Sequence, residues 1–264
     1  MIERMGRGFC AAMLALAILF LLLPILVVIP VSFTDTAVFR FPPTGFSFRW
    51  YARVLEIDAL LGALWLSASI AALSTVISLV LGTLCAVALV RGQVPWGQAV
   101  ATFMISPLML PGLVLGIALL QAAREIGLRD AWWSLLLAHV VITMPFVMRT
   151  VLASLSLFDF TLVDAARTLG CSYPIALWRV LVPAILPGFL SGALFAFFAS
   201  FDNYPISMFL VDVRTKTLPI QLLNQLEVSP DPTLAAVSVL LIGLTVLMLL
   251  FCDRLVGLRR MAAL

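Results

Sequence analysis

The stretch Asp159-Phe160-Thr161-Leu162-Val163-Asp164-Ala165-Ala166-Arg167-Thr168-Leu169-Gly170-Cys171-Ser172-Tyr173-Pro174-Ile175-Ala176-Leu177-Trp178-Arg179-Val180-Leu181-Val182-Pro183 interrupts an apolar chain and is punctuated like a helical hairpin. Thr161 and Asp164 stand at capping-box spacing. The Thr161 hydroxyl can accept from an early backbone N–H while the Asp164 carboxylate reaches back and suits the positive helix end. Gly170 is placed to stop this helix, Ser172 to cap a second one with Pro174 near its start, and Pro183 to mark the passage into the next apolar run. Leu162, Ala165, Ala166 and Leu169 form an apolar stripe on the first helix, with Asp164 and Arg167 beside it. Periodicity alone leaves two readings of that stripe, docking on a protein partner or lying on a membrane surface.

The rest of the chain is written for a bilayer. Of 264 residues, 63% are hydrophobic and 11% charged, and the mean hydropathy is +1.17. Such apolar runs are too long for a buried core helix, so lipid has to be the solvent for most side chains. The fold class expected is all-α with six membrane spans: Phe9 to Phe33, Leu60 to Val90, Ala99 to Leu120, Ala131 to Ala153, Ala184 to Phe201 and Thr233 to Phe251. The first run is too long for the core of a cleavable signal peptide and is expected to be an uncleaved span. Residues 1–264 read as a single transmembrane domain, with the coupling segment at about 159–183.

Cys10, Cys85, Cys171 and Cys252 are scattered without C-x-x-C spacing and suggest neither a disulfide framework nor a metal site. With both termini in the cytoplasm, Arg4, Arg7, Arg91, Arg149, Arg167, Arg179, Arg254, Arg259 and Arg260 fall inside with Glu3, Asp159, Asp164 and Asp253. Seven basic and nine acidic residues then fall outside, so the bias in basic residues modestly favours this orientation. Leu218 to Leu226 reads as a short amphipathic helix on the outer side, and Asp231 and Pro232 as the start of the last span.

Pro107-x-x-Leu110-Pro111-Gly112-x-x-x-Gly116 recurs as Pro183-x-x-Leu186-Pro187-Gly188-x-x-x-Gly192. Both copies open a span from the same side. This echo reads either as a parallel duplication or as two uses of small residues for close helix packing. Membrane-embedded polar groups supply the candidates for a solute path. Asp202, with Asn203 and Tyr204, either faces a translocation cavity that guides a cationic or amine-bearing solute, or ends its helix at the headgroups. His139 has no carboxylate chain with it, which favours an interhelical hydrogen bond over a proton relay. Trp50, Trp132 and Trp133 near span ends are expected to be interfacial anchors.

The hairpin resembles the EAA-loop signature of bacterial ABC importer permeases, E-A-A-x-x-x-G followed nine residues later by I-x-L-P. Here it stands as Asp164-Ala165-Ala166, Gly170 and Val180-Leu181-Val182-Pro183, with Asp for Glu and Val for both Ile and Leu. The wider chain resembles the spermidine/putrescine type of that family, through Ser106 to Pro111, His139 with Pro145-Phe146, Ser200-Phe201-Asp202, and Leu218-Pro219 leading to Ser229-Pro230. The resemblance implies a type I importer permease whose coupling helix docks in a groove of an ATPase. Asp164, Ala165, Ala166 and Gly170 would then carry the coupling, in a segment that also holds Thr161, Arg167 and Pro183.

It further implies a second permease, identical or related, two ATPase subunits and a periplasmic or extracellular solute-binding protein, in a bacterial inner membrane. The expected cargo is a polyamine or another amine-bearing compound. No cofactor is expected on this chain, since ATP and Mg belong to the partner ATPase, and no metal, catalytic residue or nucleic acid is expected. The only lysine, Lys216, lies between threonines in an expected outer loop, so the chain lacks a P-loop. The alternative is a gradient-driven secondary transporter or channel, which needs no docking helix. A membrane-embedded enzyme would require a cluster of His, Asp, Glu or Cys that one isolated histidine does not supply.

Overall fold

The computed structural model describes residues 2–92 and 94–256. The chain runs α1 (Ile2–Ser32), α2 (Arg49–Glu56), α3 (Asp58–Val90), α4 (Gly97–Ile105), a 3₁₀ turn (Ser106–Met109), α5 (Gly112–Glu125), α6 (Ala131–Leu155), α7 (Thr161–Thr168) and α8 (Tyr173–Ala176). A π-helical turn (Leu177–Leu181) then leads into α9 (Val182–Phe201), α10 (Ser207–Leu210), α11 (Leu218–Val228) and α12 (Thr233–Val256). Of the residues counted above for orientation, Arg259 and Arg260 lie outside the described residues, and for Glu3 and Arg4 only the backbone is described.

Among the described residues, five helices, Phe9–Ser32, Asp58–Val90, Ala131–Leu155, Tyr173–Phe201 and Thr233–Arg254, are long and apolar enough to cross a bilayer. Gly97–Met109 and Gly112–Glu125 pass the same test only as a pair, bent by 110°, which adds a sixth crossing if the pair is one span. The span expected from Ala99 to Leu120 is therefore sharply bent within its length, the shape of a broken span or of a re-entrant loop. Its chain tightens into the 3₁₀ turn around Pro107, and Leu110 is then extended at φ −86°, ψ 142°. That is the conformation a residue ahead of a proline prefers. The second copy of the echo behaves differently. Pro183 does not divide a short helix from a span, because Tyr173–Phe201 is one continuous helical run. In the π turn the Val182 N–H donates to the Leu177 carbonyl, five residues back. This wider turn makes room for the Pro183 ring, which would crowd a regular α-turn.

The chain divides into two compact units, one formed by Met1–Leu61 and Leu222–Val246, the other by Gly62–Gln221 and Leu247–Leu264. In the first, the apolar side chains of α1 from Phe9 to Leu23 are exposed nearly all round, as lipid or a partner helix would permit. Its exit loop is closed by an isolated antiparallel bridge between Thr34 and Phe46. Trp50 is no interfacial anchor: it is buried, and its indole N–H donates to the Thr34 carbonyl at 2.7 Å. The start of α12 matches expectation, since the Asp231 carboxylate accepts from the Thr233 N–H at 2.9 Å. Asp231 also pairs with Arg53 at 3.6 Å.

The core of the second unit is the α6–α9 pair. Leu135, His139, Thr143, Val147, Val151 and Leu155 fill the inner face of α6, and Gly188 and Gly192 let α9 approach it. A Cβ on Gly188 would stand 2.6 Å from the Thr150 carbonyl, and one on Gly192 3.1 Å from the Val147 Cα. In the other copy of the echo, a Cβ on Gly116 would stand 3.1 Å from the Pro205 carbonyl. Both copies use their glycines for close approach, the packing reading of the repeat.

Candidate functional site

α7 is anchored on one face and bare on the other. Phe160, Val163 and Ala166 pack into a core cluster with Ala86, Leu155, Ala176 and Leu181, and Val163 is fully buried. Leu162 (54% exposed) and Leu169 (87%) point outward, with Ala165 exposed between them. The apolar stripe is thus Leu162, Ala165 and Leu169, while Ala166 belongs to the anchoring face. Asp164 and Arg167, both exposed, form an ion pair at 3.8 Å, which at the surface stabilises little.

The ends of α7 are fixed by hydrogen bonds, though not in the expected way at its start. The Thr161 hydroxyl does not cap the helix, and Asp164 turns to Arg167 instead of reaching back. The Asp159 carboxylate takes the role by accepting from the Thr161 N–H at 2.9 Å. Hydrogen bonds from the Thr161 backbone and side chain hold the Asp159 carboxyl below its ordinary pKa. At the other end Gly170 is left-handed (φ 91°). Its N–H donates to the Arg167 carbonyl at 3.0 Å, and the Cys171 N–H to the Ala166 carbonyl at 3.2 Å. These are the paired bonds of a Schellman stop, and a glycine suits the left-handed position. Ser172 stands at the N-cap of α8 with Pro174 in the first turn, but its side chain makes no capping bond.

One long-range contact at this end of the unit has no local sequence signal. Arg91 follows the last residue of α3, and its guanidinium donates to the Tyr173 hydroxyl. The same guanidinium carbon lies 5.3 Å from the Phe160 ring centre and 5.2 Å from that of Tyr173, and Arg167 lies 5.6 Å from the Tyr173 ring. These are cation–π distances.

His139 is the hub of a buried polar network elsewhere in the same unit. Its Nδ1 is 2.6 Å from the Ser200 Oγ on α9, and its Nε2 is 3.0 Å from the Ser207 Oγ on α10. Ser74 on α3 donates to Ser200 at 3.2 Å, and Ser78 on α3 pairs with Thr143 on α6 at 2.7 Å. The interhelical role expected of His139 is the geometry observed. Asp202 is exposed at the C-cap of α9. The Asn203 Oδ1 accepts from the Ile206 N–H at 3.1 Å, and Tyr204 is half-buried. Thus the sequence-predicted residues form two groups, the α7 segment and the turn after α9. An open cleft of about 770 Å³ lined by Gln121, Arg124, Glu125 and Phe209 includes neither group. Among the described residues, no cluster of three or more His, Cys, Asp or Glu is placed to hold a metal.

A chain of apolar spans with a short, anchored and outwardly apolar helix between two of them is built as one subunit of a larger membrane assembly. Residues 78–258 match the family described as binding-protein-dependent transport system inner membrane component, and the chain belongs to that family. The spermidine/putrescine transport system permease protein PotC of Haemophilus influenzae is 31% identical over 226 residues, 86% of this chain and 88% of that one. PotC of Escherichia coli K12 is 30% identical over 251 residues, 95% and 93% of the two chains. A crystallised bacterial ABC transporter involved in importing the acidic polysaccharide alginate shares the fold. Its TM-score is 0.70 at 18% identity, covering 94% of this chain and 95% of that one. The protein is a permease subunit of an ABC importer, non-catalytic itself, with ATP hydrolysis assigned to a partner. Family membership sets aside the gradient-driven alternative.

Proposed function

We propose that this permease carries a polyamine or other amine-bearing solute into the cytoplasm, and that α7 is the helix through which a separate ATPase drives it. One observation carries the docking reading: the exposed Leu162, Ala165 and Leu169 stripe on a helix whose opposite face is locked into the core through Val163. An apolar stripe on a rigid mount suits a protein groove, and alanine permits close approach. Asp164 and Arg167 flank the stripe and would fix the register of docking. The solute class is supported by the two PotC relatives, named for spermidine and putrescine, and by the exposed Asp202 carboxylate beside Asn203 and Tyr204.

The assembly comprises this chain, a second permease of the same or related sequence, two ATPase subunits that bind ATP and Mg, and an external solute-binding protein. Both termini lie in the cytoplasm. The C-terminal ends of α3 and α6 and the start of α8 meet α7 in one cluster, so Arg91 and Arg167 belong to the same end of this unit, in keeping with the modest bias in basic residues.

The test is reconstitution of the full transporter with Leu162→Asp and Asp164→Arg. Both variants should insert with unchanged thermal stability, lose the ATPase on co-purification and lose uptake. Retention of the ATPase together with normal uptake would overturn the docking reading. The co-purified binding protein, titrated with putrescine, spermidine and a neutral solute of similar size, tests the cargo. Failure to bind either amine removes the polyamine reading.

A further inference from the structure

We propose that Arg91 is a positioning residue that ties the coupling helix to α3, so that displacement of α7 is delivered to two spans at once; this rests on the docking reading above. α7 already leads by its own chain into α8 and the continuous helix that ends at Phe201. Its connection to α3 depends on side chains.

Most of that connection is apolar. Ala86, Val87 and Leu89 of α3 share a cluster with Val163 and Ala166 of α7. Apolar burial is non-directional, so such a contact resists separation more than sliding. Arg91 supplies direction. Its backbone N–H still bonds to the Val87 carbonyl at 3.1 Å, so the residue moves with the last turn of α3. A cation there also suits the negative end of the helix.

From this base the guanidinium donates to the Tyr173 hydroxyl and lies 5.2 Å from that ring and 5.3 Å from Phe160. Phe160 is the N-cap residue of α7 and Tyr173 the first residue of α8. One planar group therefore engages the entry and the exit of the coupling segment. Arg167, on α7 itself, meets the Tyr173 ring at 5.6 Å, and Phe158 holds Phe160 edge-on at 5.2 Å. A lysine in place of Arg91 would keep the charge but lose the flat fork that bonds one ring substituent while covering the faces.

The experiment uses the complete transporter in proteoliposomes with its binding protein. ATP hydrolysis and solute uptake are measured in the same vesicles for Arg91→Ala, Arg91→Lys and Tyr173→Phe. The expected result is that ATPase co-purification and thermal stability persist while solute moved per ATP falls at least about five-fold in Arg91→Ala, the lower end of a typical coupling effect. Tyr173→Phe, which keeps the ring and loses the hydroxyl, should fall less, and Arg91→Lys should fail to restore the ratio. An unchanged ratio in Arg91→Ala overturns the inference. So does a loss of ATPase binding in that variant, because Arg91 would then merely hold the hairpin folded. Docking is judged separately by Leu162→Asp: ATPase retention with normal uptake there defeats the underlying reading, whatever Arg91→Ala does.

Discussion

Placing a methyl group on either of two glycines of α9 should loosen the helix pair at the centre of the second unit, and to different degrees. On Gly188 the new Cβ would meet the Ser154 hydroxyl and stand 2.6 Å from the Thr150 carbonyl oxygen, which is backbone and cannot rotate away. On Gly192 it would meet the Thr150 hydroxyl, with the Val147 Cα at 3.1 Å and the Thr150 Cβ at 3.7 Å. Overpacking of this kind costs about 1–3 kcal/mol. Gly188→Ala belongs at the upper end because helix backbone has to shift, and Gly192→Ala at the lower end because one hydroxyl dominates. At roughly 2–4 °C per kcal/mol for a chain of this size class, the midpoints should fall by about 2–12 °C. Midpoints can be read by thermal-shift chromatography in one detergent. The decisive comparison is a pair of double mutants. Thr150→Ala should restore most of the loss in Gly192→Ala, whereas Ser154→Ala should restore little in Gly188→Ala, since the Thr150 carbonyl remains. Wild-type stability in Gly188→Ala, or no rescue of Gly192→Ala by Thr150→Ala, would refute the close packing of α6 and α9.

His139→Leu removes the bonds to Ser200 and Ser207, and at about 0.6 kcal/mol per bond in a membrane interior, up to about 1.7, the loss should be about 1–3 kcal/mol. An unchanged midpoint would show the network to be energetically idle. Asp159, whose pKa is depressed below 3.8 by its bonds to Thr161, contributes its cap above the unfolded value, and that contribution disappears as pH falls through the lower folded value. Hydrogen exchange at the start of α7 should therefore be flat from pH 5 to 8 after intrinsic correction, and Asp159→Ala should raise it more than Asp159→Asn does. Equal effects of the two substitutions would contradict the capping role. Asp202→Asn should weaken uptake of a cationic solute more than that of a neutral one, and equal effects would remove Asp202 from the solute path.

Hydropathy located the long helices because lipid asks for little beyond length and apolarity. It could not foresee the break at Pro111. Pro107 to Gly116 and Pro183 to Gly192 carry the same spacing, yet one bends by 110° and the other continues through a π turn. Their partners differ. Gly188 and Gly192 lie against a regular helix, whereas Gly112 and Gly116 meet the irregular Pro205–Ile206 segment. In α7 the difficulty is that two apolar faces exist. Phe160, Val163 and Ala166 repeat at helical spacing as well as Leu162, Ala165 and Leu169 do, so the pattern cannot say which is the anchor. The start of α7 was ambiguous in the same way, since Asp159 and Thr161 are both cap-competent. Arg91 lay beyond such reasoning because Tyr173 is 82 residues away and nothing local records that meeting.

The two kinds of helix contact in the second unit have different mechanical consequences under the proposed docking. Where glycine lets backbone lie on backbone, as between α6 and α9, a displacement has no flexible side chain to absorb it, and the pair moves together. The α8–α9 run is least uniform at Leu177–Leu181, where the ladder shifts to a five-residue bond and Pro183 offers no N–H. A push at Ser172 thus meets a compliant turn before it meets a stiff pair. Compliance there would waste motion if the coupling segment were held only by its own chain. The Arg91 clamp acts below that turn, at Tyr173, and gives the displacement a second route through α3. The polar network around His139 joins α3, α6, α9 and α10. The two routes meet again there, so α3 and α9 cannot respond independently without breaking buried hydrogen bonds.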